Sequence, residues 1–177
     1  VIIEQKQNLQ ETPLYKLPLA IDIYENGKVR REQVTLTQQK EYLFFDCNSK
    51  PQLINVDAEK QLLCAKKDNH TSDEWRYQYQ HAPLFLDRYE AIDALAKGYE
   101  GNSAEAKIII SALDDKNPSI RALALRNIGA AAKADSTVKN KLQQMVTKDA
   151  KAHVRESALS TLYKYFDDSS LDNIAIN

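Results

Sequence analysis

Three histidines, two cysteines and two adjacent pairs of aspartates are the residues of this sequence whose types could do chemistry. His70, His81 and His153 stand in His-Thr-Ser-Asp-Glu, His-Ala-Pro-Leu-Phe and His-Val-Arg-Glu-Ser. A helical zinc site of the hydrolytic kind needs His-Glu-x-x-His, which sets two imidazoles on one helix face, and no pair here has that spacing. His70 and His81 would meet on a metal only by a coincidence of tertiary folding. Cys47 and Cys64 fall in segments that read as strands, where two buried free thiols are expected rather than a disulfide. Two cysteines also fall short of the four ligands of a structural zinc site. Asp114-Asp115 and Asp167-Asp168 resemble acid–base pairs, but both lie at inter-helix loops. Solvent there supplies no environment that would split two carboxyl pKa values. No Gly-x-Ser-x-Gly elbow and no phosphate-cradling loop occur in a chain with 4 glycines. The expected sets of catalytic, cofactor-binding and metal-ligating residues are therefore all empty.

The elements that carry these residues belong to a chain of 177 residues and 20.1 kDa, enough for one large domain or two small ones. Folding at that size hides roughly 70% of the unfolded surface, so a proper core is expected. Apolar residues make up 43% and charged residues 28%, which rules out disorder as a description of the whole. The 24 basic and 25 acidic residues give a net charge of −1, too balanced for a protein that grips nucleic acid by neutralising phosphates. No run approaches the roughly 20 apolar residues that span a bilayer, and none reads as a leader. The opening Val-Ile-Ile and the closing Leu171 to Asn177 both sit inside a pattern, so the chain reads as a piece of something longer.

Residues 1–67 are written in strand grammar. Leu17, Leu19, Ile21 and Ile23 alternate with Pro18, Ala20, Asp22 and Tyr24, which predicts a strand with one buried face. Asn26-Gly27 follows, the strongest short hairpin signal, because both central positions of a type I′ turn need positive φ. A return strand is expected over Val29 to Leu36, with Val34 and Leu36 inward and Glu32 outward. Further strands are expected at Val1–Gln7, Glu41–Cys47, Gln52–Val56 and Gln61–Ala65, punctuated by Pro51 and Asp57-Ala58-Glu59-Lys60. Six or so short strands at this spacing predict a small Ig-like β-sandwich.

Residues 68–177 are written in helix grammar. Thr71-Ser72-Asp73-Glu74 has the form of a capping box, and Asn117-Pro118 places a cap before a proline at the first helical position. Ser103, Ser136 and Ser170 are expected caps of three other helices. The most informative feature is a repeat. Segments beginning at Arg88, Arg121 and Arg155 all read Arg-x-x-Ala-[Ile/Leu]-x-x-[Leu/Ile], 33 and then 34 residues apart. Trp75, Ile109 and Leu142 repeat in the same register, as do Tyr79, Leu113 and Val146. Such a period predicts three helix pairs whose apolar faces are covered by stacking, with Leu171-Asp172-Asn173-Ile174 starting a fourth. Asp115 and Asp149 each precede an arginine of the column by six residues, and Ala82 takes that place in the first pair. Charges in fixed phase are read as a structural ladder of ion pairs rather than an anion-binding stripe. Trp75, Tyr77, Tyr79 and Phe85 are read as packing at the joint between the two halves.

The Arg-x-x-Ala-Leu pattern with its preceding Asp115-Lys116-Asn117-Pro118-Ser119-Ile120 is similar to the HEAT type of repeat, within the wider armadillo-type fold. A β-sandwich feeding into such an α-α superhelix resembles the C-terminal region of the aminopeptidase N family of zinc metallopeptidases. Leu17-Pro18-Leu19-Ala20-Ile21-Asp22-Ile23-Tyr24 and Leu53-Ile54-Asn55-Val56-Asp57-Ala58 look like that family's third domain, and Tyr77 to Leu95 like the entry to its helical domain. The resemblance implies a parent hydrolase that removes N-terminal residues from peptides, with its zinc in a catalytic domain outside this sequence. It implies no catalytic residue here, because the family's zinc ligands, exopeptidase loop and catalytic tyrosine have no counterpart in the chain. The array would cap the active site and limit access of the peptide substrate, and the sandwich would act as a spacer. The partners implied are the catalytic domain of the same polypeptide and that peptide. No nucleic acid and no membrane span are expected, and the relatives suggest a periplasmic or secreted location. Non-enzymatic relatives share the layout, so a HEAT-repeat interaction scaffold with no activity is the alternative.

Overall fold

The computed structural model describes residues 1–97, 99–101 and 103–166. Strands and helices are segregated along the chain, an α+β mix in two compact units that divide after Asn69.

Five strands are described in the first unit: β1 (Ile2–Glu4), β2 (Leu17–Glu25), β3 (Lys28–Leu36), β4 (Lys40–Tyr42) and β5 (Leu53–Val56). They form a two-stranded antiparallel sheet, β1–β4, and a three-stranded antiparallel sheet in the order β3–β2–β5. The hairpin turns where expected: Asn26 and Gly27 take φ of 51° and 72°, and Glu25 pairs with Lys28. Leu19, Ile21, Ile23 and Leu36 form the core, with Ile3, Leu43 and Phe45 packed against it.

Several strand expectations need correction. Leu19 to Tyr24 are all buried, so β2 is covered on both faces instead of one. The polar member, Asp22, is neutralised from directly across the ladder by Arg31, whose Nε and Nη2 donate to its two oxygens at 2.7 and 2.9 Å. Glu32 shares the face of Val34 and Leu36, since it stands opposite Ile21 two residues from Val34. It is half-buried there and takes Arg30 Nη1 at 2.8 Å. The segment Glu41–Cys47 pairs only as far as Leu43, and Val1–Gln7 only over Ile2–Glu4 with flanking bonds. Gln61–Ala65 is no strand: the Asp57 carboxylate takes the N–H groups of Gln61 and Leu62 at 3.0 and 3.2 Å. Those amides, tied to the turn, are lost to any ladder.

The second unit holds α1 (Ser72–His81), α2 (Phe85–Leu95), α3 (Ala104–Ser111), a 3-10 turn (Ala112–Asp114), α4 (Pro118–Asn127), α5 (Gly129–Ala134), α6 (Ser136–Lys148) and α7 (Ala152–Phe166). Thr71 and Glu74 form the capping box of α1, and Asn117 caps α4 with Pro118 at its first position. Ser103 caps α3, accepting from Ala106 N. The cap of α6 is Asp135 rather than Ser136; its carboxylate accepts from Thr137 N at 2.9 Å, leaving Ser136 inside the helix. The expected cap Ser170, the pair Asp167-Asp168 and the start of a fourth helix pair at Leu171 lie outside the described residues.

The repeated columns meet in one core. Ala91, Ala124 and Ala158 are fully buried, which lets neighbouring helices approach closely. Ile92 and Leu125, then Leu95, Ile128 and Leu162, fill the space between them. Ile109 and Leu142, and Leu113 and Val146, supply the facing columns. Each large apolar side chain so buried contributes roughly 2–3 kcal/mol. A buried hydrogen bond crosses the core, from Thr161 Oγ1 to Leu125 O at 3.1 Å. Trp75 and Tyr79, read from sequence as joint residues, belong to this helical core; Tyr77 stacks on His81 and Phe85 on Tyr89.

Candidate functional site

The place where charged side chains converge is the set of turns between paired helices, and the Arg column builds it. Arg88 stands in the first turn of α2, Arg121 in the first turn of α4 and Arg155 in the first turn of α7. Asp115 and Asp149 stand in the turns that precede α4 and α7. Arg121 Nε and Nη2 donate to the two oxygens of Asp149, each at 2.8 Å, in the forked geometry that suits guanidinium and carboxylate. Arg88 does the same to Asp115, at 3.0 and 3.5 Å. The third terminal nitrogen is used locally: Arg121 Nη1 donates to Asp115 O at 2.9 Å and Arg88 Nη1 to Pro83 O at 3.0 Å.

Arg88 and Arg121 therefore each bond the backbone of their own turn and the carboxylate of the next one, 27 or 28 residues further along. Sequence phase reveals that an aspartate and an arginine recur together, but not which aspartate each arginine takes. The six-residue neighbour gives only its carbonyl, because its carboxylate points back to the previous arginine. In each pair both side chains are about 85% or more buried, which sets them apart from ordinary surface pairs.

The electrostatics follow from this pairing. The Arg121 guanidinium holds the Asp149 carboxyl below the usual carboxylate range, against the opposing effect of burial, and the Lys151 N–H at 2.9 Å adds to it. Burial first, and the Asp115 charge second, push the Tyr79 phenol up to about 12. Its hydroxyl lies 3.4 Å from Asp115 Oδ2. Asp114, the neighbour of Asp115, turns outward and pairs with Lys141. An open cleft of about 380 Å³ runs along these turns, lined by Asp114, Asp115, Arg121, Lys141 and Asp149 among others. Its carboxylates are each paired with a cation, Asp114 with Lys141, Asp115 with Arg88 and Asp149 with Arg121, an arrangement suited to holding helices in register.

The remaining candidates are scattered. His70 lies edge-on to Trp75, with ring centroids 4.6 Å apart. His81 stacks on Tyr77 at 4.1 Å, and His153 is exposed on α7. Cys47 and Cys64 are free thiols, but both are exposed, against the expectation of burial; neither lies in a strand, Cys47 falling beyond the paired part of its segment and Cys64 in the segment that forms none. Among the described residues no group of three or more His, Cys, Asp or Glu is placed to hold a metal ion. No described helix is long and apolar enough to cross a membrane. A comparison with protein families gives no matching family model, and a comparison with curated proteins gives no match.

Proposed function

We propose that this chain is a non-catalytic module of a zinc-dependent aminopeptidase of the aminopeptidase N type. Its β unit is an Ig-like sandwich that serves as a spacer, and its helical unit is a HEAT-like superhelix that caps the parent's active site and limits which peptides enter. The parent would remove N-terminal residues from peptides with a zinc-activated water. The observation that carries the reading is the pair of Arg–Asp rungs at one phase of the repeat, tying successive helix pairs together over a shared core. Such an array holds an extended surface in a fixed shape. The sandwich is supported by Ile3 of β1 and Leu43 beyond β4 packing on the core of the other sheet. The test is turnover of an aminoacyl-anilide by the purified 177-residue chain. None is expected; turnover abolished by a chelator would overturn the non-catalytic reading.

A second reading, an interaction scaffold attached to no active enzyme, is favoured by one observation. The α7 end of the array leaves Leu159 half-buried and Tyr163 44% exposed. The counterpart of Leu159 in α4, Leu125, is fully buried.

A further inference from the structure

The cleft along the turns carries more cations than its carboxylates use. It lies between the turn ahead of α4 and the C-terminal part of α6, and every residue that lines it is described. Lys141, Met145 and Lys148 share one face of α6, at helical spacings of four and three. Lys116 stands on the opposite wall, in the turn. Asp114 is taken by Lys141, Asp115 by Arg88 and Asp149 by Arg121. Lys116 and Lys148 remain. Both are exposed, and among the described residues neither ammonium has a carboxylate partner. The cleft thus holds two surplus positive charges on a chain whose net charge is −1.

We propose that this cleft binds an acidic peptide, an extended segment of a partner protein whose carboxylates meet Lys116 and Lys148. Surplus charge in a cleft draws in segments of the opposite sign and selects against others. At about 380 Å³ the space is that of a ligand-sized cleft, roughly 300–1,000 Å³, and larger than one small ion needs. The surrounding groups favour carboxylates over phosphates. Phosphate recognition relies on arginine forks and on cradles of backbone N–H groups. Both are already engaged here. Arg121 gives Nε and Nη2 to Asp149 and Nη1 to Asp115 O. The N–H of Asn117 goes to Asp115 at 2.7 Å and that of Lys151 to Asp149 at 2.9 Å. What is left is a pair of ammonium groups on flexible stems, which follow the carboxylates of an extended chain without demanding a fixed fork. Gln144, exposed on the cleft, offers an amide to the peptide backbone. The inference rests on the charges of this cleft and stands whether or not the aminopeptidase reading does.

The probe is a fluorescein-labelled peptide, Gly-Glu-Glu-Leu-Glu-Glu, titrated with the full chain by anisotropy at about 20 mM salt, where surface charges are little screened. Saturable binding is expected, weakening as salt is added. The same labelled peptide with Gln for each Glu should not saturate. Lys116→Gln and Lys148→Gln should each weaken binding about two- to fivefold, and the double variant about tenfold, the scale of exposed ion pairs lost one by one. Both lysines are exposed, so the variants should keep the parent's ellipticity at 222 nm. Arg126→Gln, which removes an exposed charge of α4 outside the cleft, should leave binding unchanged. No saturation up to about 1 mM, equal binding of the Gln peptide, or a double variant that binds like the parent would overturn the proposal. So would tighter binding of a labelled oligothymidylate of about 15 nucleotides, which would assign the cleft to phosphates.

Discussion

Replacing Asp149 by Asn tests the rung most cleanly, because it removes charge and little else. Asn can still accept the Lys151 N–H that Asp149 accepts at 2.9 Å, so the turn ahead of α7 keeps its local bond. Arg121 also keeps its donation to Asp115 O. What disappears is the pair of charge-assisted bonds at 2.8 Å between side chains left only 15% and 7% exposed. Fully exposed pairs are worth about 0–1 kcal/mol, and breaking a fully buried one costs about 3–5 kcal/mol. This rung lies nearer the second case, so a loss of about 2–4 kcal/mol is expected. Urea titration followed by helical ellipticity at 222 nm measures it, with an unchanged slope as the sign of an intact native state. The double variant Arg121→Met with Asp149→Asn should recover much of the loss, giving a coupling of at least about 1 kcal/mol. A single-variant effect within about 0.5 kcal/mol, or no coupling, would show the ladder to be ornamental.

Leu125→Asp buries an unpaired charge at a fully buried position between helix pairs and should cost several kcal/mol; a variant that melts like the parent would show the repeat register to be wrong. Acid should unfold the helical unit, because the depressed Asp149 carboxyl contributes stability present above its unfolded pKa near 4 and lost as pH falls through its lower folded value. A urea midpoint measured against pH should fall below about pH 4, less steeply in Asp149→Asn. At the alkaline end the raised Tyr79 phenol contributes stability that is complete below its unfolded pKa near 10 and fades as pH rises to about 12, and Tyr79→Phe should flatten that limb. Cys47 and Cys64, both exposed, should both react with a thiol reagent in the native state without unfolding; protection of either would contradict its placement.

How much of this was legible in the sequence varied with the reach of the interaction that decides it. Asn26-Gly27, the Thr71–Glu74 box and Asn117-Pro118 are settled within four residues, and all three stand where sequence placed them. The repeat was legible because the period carries five columns at once. Strand edges were not, because a strand needs a partner: Gln61–Ala65 has a strand's composition, yet Asp57 takes two of its amides. The burial of Cys47 and Cys64 was misjudged with those strands. Ser136 lost the cap of α6 to its neighbour Asp135, a choice between adjacent good caps that composition alone does not decide. The wiring of the ladder was hidden for a third reason: fixed phase is the same whether Arg121 takes Asp115 or Asp149, and only three-dimensional stacking selects the latter.

The most direct test of the central claim is to read the coding sequence upstream of Val1 for about 500 codons, the room that a set of preceding domains needs. The account predicts an in-frame domain carrying His-Glu-x-x-His with a further glutamate downstream, the ligands of a zinc aminopeptidase. A frame without those ligands would contradict it and leave the helical array as an interaction scaffold alone.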